Sequence, residues 1–141
     1  MSNVVGEPTI SNRSCLRLLP NDIKNQSKLS GKLVLRSSGL QYRNFLSINF
    51  LTNTILKLVK KKTKKVLIFN LGGVNVKIIS FINEFTKIYN QNNKKKLKIL
   101  ILSNKPKTSE KLNYDDHKIR LFLRLNKKEN INNITKIFFR S

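Results

Sequence analysis

Apolar residues recur along this chain in two rhythms, one suited to helices and one to strands. Phe45, Ile48, Leu51, Ile55, Leu58 and Val59 fall three or four apart and predict a helix over 44–61, capped by Asn44 or Ser47. Val74, Ile78, Phe81, Ile82, Phe85, Ile88 and Tyr89 repeat the pattern and predict a second helix to about Asn90. Between them, 66–71 (VLIFNL) is a near-continuous apolar run of strand length, as expected for a strand covered on both faces. A similar run over 97–102 predicts another buried strand, and 31–37 (GKLVLRS) predicts an alternating one with Leu33 and Leu35 on one face.

The flanks are less regular. Residues 13–19 (RSCLRLL) read as a short strand stopped by Pro20 and Asn21, and 20–31 as a polar loop. Ser38-Gly39 is a turn signal. Residues 104–116, with Pro106, read as loop. In 117–125 (HKIRLFLRL), Ile119, Leu121, Leu123 and Leu125 alternate with Lys118, Arg120, Phe122 and Arg124, which predicts a strand with one basic face. Ile131, Ile134 and Phe138 fit a short helix or a strand.

Strand, helix, strand, helix, strand from Gly31 to Leu102 is an α/β order, with parallel strands joined by right-handed crossovers. The two early strands would pair as a hairpin or meander at one edge. The expected class is therefore α/β, a small mixed sheet with two crossover helices. Expected boundaries are a polar arm over 1–12, an α/β domain over 13–104 and a basic extension over 105–141.

Length and charge change the picture. A chain of 141 residues suggests one domain, large enough to bury a core. Its 29 Lys and Arg stand against 7 acids, a net charge of +22. Repulsion on that scale works against a compact monomer, and a dense polyanion would relieve it. Nucleic acid is the first candidate partner, an anionic membrane surface the second, and a free basic protein the third reading. No apolar run is long enough to span a bilayer. The N-terminus has neither a secretory core nor an Arg-rich amphipathic leader. The sequence has no Ala and no Trp, while Lys, Asn, Ile and Leu abound, which points to an A/T-rich gene.

Candidate chemistry is sparse. Cys15 is the only cysteine and His117 the only histidine, and no nucleophile signature surrounds either. Asp115, Asp116 and His117 are adjacent rather than convergent, so a solvated turn is favoured over a metal site. The expectation is no enzyme, no cofactor and no metal. Gly72-Gly73 lies at a predicted strand-to-helix turn, where phosphates bind readily. It lacks the Lys-Ser/Thr of a Walker loop and the three spaced glycines of a dinucleotide turn. Two readings stay open: a tight corner, or a seat for a backbone phosphate with Lys77 one turn in. The basic runs 60–65 and 94–98 lie at helix-to-strand junctions, on one end of a parallel sheet. Tyr42-Arg43 and Phe139-Arg140 place aromatics beside cations, as base stacking would use.

This order of parts resembles the universal small-subunit ribosomal protein eleven family. GKLVLRSSGLQYRN matches that family's first signature, with Ser38, Gly39 and Arg43 in place. KKVLIFNLGGVNVKIISF lines up on the second, with Gly72 on its first glycine and Lys77 replacing its arginine. The later glycines are Val74 and Val76 here, the Thr-Pro opening the first helix is missing, and the closing segment has no good match. The likeness covers about residues 31–104.

The resemblance implies a ribonuclease H-like, platform-type fold with basic extensions. It implies a structural constituent of a mitochondrial small ribosomal subunit, bound to small-subunit rRNA near the mRNA exit. Partners would be that rRNA, neighbouring platform proteins and mRNA, with no small-molecule substrate and no membrane. The candidate RNA contacts are Arg36, Arg43, Lys62, Lys64, Gly73, Lys77, Lys118, Arg120 and Arg124. The large-subunit ribosomal protein eighteen family, which shares a Gly-Gly before its last helix, is the ribosomal alternative. A basic nucleic-acid or membrane-surface adaptor is the other.

Overall fold

The structure is a computed structural model that describes residues 3–7, 13–63, 65–103, 114–126 and 128–139. Strand β1 (Asn3–Val5) leads to helices α1 (Arg13–Leu16) and α2 (Leu19–Leu29), then strands β2 (Lys32–Leu35) and β3 (Tyr42–Ser47). Helix α3 (Ile48–Lys60), strand β4 (Val74–Lys77), helix α4 (Ile78–Asn92) and strand β5 (Lys98–Ile101) follow. Helices α5 (His117–Leu123) and α6 (Ile131–Thr135) and a 3₁₀ turn (Lys136–Phe139) complete the described chain. Elements alternate as in an α/β protein.

The strands form two small sheets rather than one. In the first, of order β1-β3-β4, β1 runs parallel to β3, while β4 runs antiparallel with Phe45 opposite Val74 and Tyr42 opposite Lys77. In the second, β2 and β5 pair in parallel, with Leu33 opposite Ile99 and Leu35 opposite Ile101. Parallel pairing was expected for β2 and β5. The antiparallel β3–β4 pair was not.

Five expectations are corrected. Residues 13–19 are not a strand: they belong to α1 and the start of α2, and 20–31 is largely helix rather than loop. Pro20 sits in the first turn of α2, where its missing N–H breaks no helical bond, and Pro20, Ile23 and Ser27 turn inward on one face. The hairpin expected from that early strand is therefore not formed. Among the described residues the segment 66–71 forms no strand, and Phe69 packs on Phe122 of α5 with ring centroids 5.1 Å apart. Residues 117–123 are helical, not extended. Ile119 and Leu123, four apart, are the buried pair, and Arg120 bonds Asp116 one turn back at 2.7 Å. Arg124 closes the helix in the left-handed region, φ 52°, returning its N–H to the carbonyls of Arg120 and Leu121.

The two long helices start later than their periodicity predicts. Ser47 caps α3, its Oγ accepting the N–H of Phe50 at 3.0 Å, so residues 44–47 are free to serve as strand β3. Val74–Lys77 is likewise taken by the ladder to β3, and α4 begins at Ile78. The core lies between the first sheet and α4. Phe45 and Phe81 stack at 4.2 Å, both fully buried, and Ile134 and Phe138 close the core from the C-terminal side, Phe138 meeting Phe85 edge-on.

Candidate functional site

A cleft of about 770 Å³ opens between α2, β2 and the start of β3. Leu33, Leu35, Ile23, Ile78 and Ile82 form its apolar walls, all of them buried. Its polar rim includes Arg36 and Ser37, which directly follow the carboxyl end of β2, together with Arg43 on β3 and Asn3 on β1. Gln26 and Asp22 of α2 also line it, but they bond each other at 2.9 Å, and Gln26 Oε1 holds the N–H of Val34 at 2.7 Å. The two exposed guanidiniums are thus the charged donors of the rim. A cleft of this volume, apolar within and carrying a few polar groups, is the usual form of a small-molecule site.

A second, smaller cavity of about 290 Å³ brings Gly72 and Gly73 together with Tyr114, Asp116, Arg120 and Glu129. Its polar groups are largely engaged. The N–H of Gly73 bonds Asn44 Oδ1 at 2.9 Å, Asp116 holds Arg120, and Glu129 accepts from the Ser47 N–H at 2.7 Å and from the Ser47 hydroxyl. Gly73 has a packing reason to be glycine. A Cβ there would sit 1.9 Å from the carbonyl oxygen of Phe45. The pair precedes strand β4 rather than a helix, and the Gly73 N–H is bonded to Asn44, as a tight corner would have it.

The other candidate residues scatter. Lys62 is exposed beyond the end of α3, and Lys64 lies outside the described residues. Lys77 ends β4 with its ammonium 5.8 Å from the ring of its cross-strand partner Tyr42. Lys118 reaches over Phe69 at 5.5 Å, Arg120 over Phe50 at 5.8 Å, and Arg124 is exposed at the end of α5. Arg36 shares a cavity with Arg43, and Gly73 shares one with Arg120. Sequence reasoning missed Asn3 and Ser37 on the cleft rim. Ser37 was legible as the residue ending a predicted strand beside Arg36. Asn3 lay in what reads as a polar arm.

Asp115 and Asp116 serve their own helix. Asp115 Oδ1 accepts the His117 N–H at 2.9 Å, and Asp116 holds Arg120. Among the described residues no three of His, Cys, Asp and Glu converge as a metal site would need.

No protein-family model and no curated protein matches the chain. Solved structures do. UDP-N-acetylglucosamine 4-epimerase from Bacillus cereus superposes with a TM-score of 0.75 at 16% identity, over 98% of this chain and 45% of the epimerase. The UDP-glucuronic acid 4-epimerase of the same organism, solved with UDP-glucuronic acid and NAD, gives 0.67 at 18% identity over 97% and 41%. L-threonine dehydrogenase from Phytophthora infestans gives 0.69 at 8% identity over 97% and 44%. The chain thus spans less than half the length of these enzymes. What it shares with them is a Rossmann-like α/β fold.

These findings overturn the ribosomal reading. The fold is Rossmann-like, not the ribonuclease H-like platform type, and the likeness to small-subunit protein eleven fails with it. So do the structural role in a ribosome, the rRNA, mRNA and platform-protein partners, the large-subunit protein eighteen alternative and the basic-adaptor alternative. The expectations of no enzyme and of no small-molecule substrate are corrected by the same neighbours, which are enzymes of small molecules. The two ribosomal motifs misled because an apolar strand, a Gly-Gly and an amphipathic helix are generic α/β parts.

The neighbours' NAD poses a test that this chain does not meet. A dinucleotide turn sets spaced glycines between the first strand and its helix, so that backbone N–H groups reach the pyrophosphate. Here β1 is followed by a single glycine, Gly6, and then by Glu7, whose carboxylate pairs with Lys24. A Cβ at Gly6 would meet Ile48 at 2.7 Å, so Ile48 already fills the space against that glycine.

Proposed function

We propose that this chain binds a pyrophosphate-linked nucleotide, of the nucleoside diphosphate-sugar kind, in the cleft beneath Arg36 and Arg43, as the nucleotide-binding part of an enzyme. The observation that carries the reading is the pairing of two exposed guanidiniums with a wall of buried aliphatic side chains, at the carboxyl end of β2. Ligands of open α/β sheets lie outside the carboxyl ends of their strands. The apolar walls suit a base and ribose, and the arginines suit phosphate oxygens, which a guanidinium binds with two parallel donors. In the neighbour solved with UDP-glucuronic acid, the named ligand is of this chemical class.

The division of labour differs from a glycine-turn site. Phosphate is held by side chains on the rim rather than by backbone N–H groups after β1. The cleft supplies binding and orientation, and Asp22, tied to Gln26, adds a polar group to its wall.

The test is calorimetric titration with UDP-N-acetylglucosamine, with and without Arg36→Ala and Arg43→Ala. Loss of a charge-assisted phosphate contact should weaken binding by about ten- to a hundred-fold for each arginine. Binding that ignores both substitutions, or none by the wild-type chain, would overturn the proposal.

A further inference from the structure

Helix α3 is amphipathic, yet its only buried residue is Thr54. Ile55, Leu56 and Val59 are 48%, 53% and 77% exposed. A surface helix of a globular domain normally turns its apolar stripe to the core. This one leaves much of it in water.

Beside Leu56 lies a groove of about 370 Å³, between α3 and the segment after α5. Phe50, Leu56 and Leu125 supply its apolar surface, and Lys57 and Lys60 stand at its rim. The Arg120 guanidinium stands 5.8 Å from the Phe50 ring. Among the described residues neither lysine is in an ion pair. The two ion pairs among the described residues are Lys24–Glu7 and Arg120–Asp116, and neither involves α3. Glu84 and Glu129 are likewise engaged elsewhere, with Asn132 and Ser47.

We infer that this groove docks an acidic segment of a partner protein, anchored by one apolar side chain between Phe50, Leu56 and Leu125 and flanked by carboxylates facing Lys57 and Lys60. A second copy of this chain is disfavoured as the occupant, because two chains each at +22 repel. A bilayer would meet the open stripe of Ile55 and Val59 rather than fill the groove. Here the apolar atoms line a concavity of side-chain size, with Asn53 and Asn126 on its walls. An apolar centre with a charged rim is the common anatomy of a protein interface. The site is separate from the nucleotide cleft and does not rest on that reading.

The experiment uses the full chain and a fluorescein-labelled peptide of Glu and Asp carrying one Phe and one Leu, read by anisotropy. Polyglutamate of equal charge and vesicles of phosphatidylserine and phosphatidylcholine are run beside it. The peptide should bind, and polyglutamate should bind more weakly. Leu56→Ser should weaken the peptide about ten-fold, as loss of a central anchor does. Lys57→Glu with Lys60→Glu should weaken it at least about ten-fold by charge reversal. Both variants change exposed side chains, and circular dichroism checks that they fold. Equal binding of polyglutamate with no effect of Leu56→Ser would reduce the surface to unspecific charge and overturn the inference. So would vesicle binding without peptide binding, or no binding at all.

Discussion

The side-chain oxygen of Asn44 accepts the backbone N–H of Gly73 at 2.9 Å, and this bond fixes how the glycine corner meets β3. Asn44 is buried, and its amide nitrogen donates to Asn75 Oδ1 at 2.6 Å. One bond joins β3 to β4 and the other ties β3 to the residue just before β4, so one side chain braces this antiparallel pair. Asn44→Ala strands the Gly73 N–H and should cost about 1–3 kcal/mol. Urea unfolding would measure it. A loss near zero would mean that the corner finds another acceptor.

Gly73→Ala should be worse. Its Cβ would sit 1.9 Å from the Phe45 carbonyl oxygen, a backbone atom that cannot rotate away. Strand β3 would have to shift, at a cost of about 3 kcal/mol or more. At Gly39, φ is +70° and a Cβ would meet Leu35 and Ile79 side chains, so Gly39→Ala combines strain with crowding. Thermal melts of the two variants should both fall, and a neutral Gly73→Ala would refute the close approach.

The aromatic cluster makes a third expectation. Phe85 is 1% exposed and has ring neighbours in Tyr89, Phe138 and Phe139. Phe85→Ala should destabilise by about 3–5 kcal/mol. Val66→Ser, at a residue 95% exposed, should change stability by less than about 0.5 kcal/mol. If the two variants proved alike, 66–71 would be a core strand after all.

Lys24 carries a pH signature. Burial first, and then the nearby charge of Lys28, hold its ammonium below the ordinary lysine value of 10.5. The pair with Glu7 works the other way, but Glu7 is more than half exposed and its attraction is screened. A base whose value is lowered on folding disfavours the folded state while it is charged. That penalty is full below the lowered value and fades as pH rises through it toward 10.5. The stability of the wild-type chain relative to Lys24→Met should therefore rise across that window in pH-dependent melts. A difference that is flat with pH would remove the effect.

How much of this was legible in the sequence depended on which residues faced inward. The strands at 32–35 and 98–101 and the helices around Leu51 and Phe85 stood out, because apolar side chains mark one face of each. Helix α2 was hidden because its inward face is Pro20, Ile23 and Ser27, mostly not apolar. In α5, Ile119 to Leu125 satisfies both rhythms, since residues four apart also lie on one face of a strand. The β3–β4 pairing was hidden because the helical spacing of Val74 and Ile78 overlaps the alternation of Val74 and Val76. Of the site, Arg36 and Arg43 were among the candidates, yet their shared cleft depends on α2, which was read as loop.

The most direct test of the central claim is residue-resolved NMR titration of the chain with UDP-N-acetylglucosamine. The account predicts saturable shifts at 33–37, Arg43 and Asn3, the residues of the cleft. Shifts gathered instead on the lysines of 60–65 and 94–98, or no saturable shifts, would contradict it.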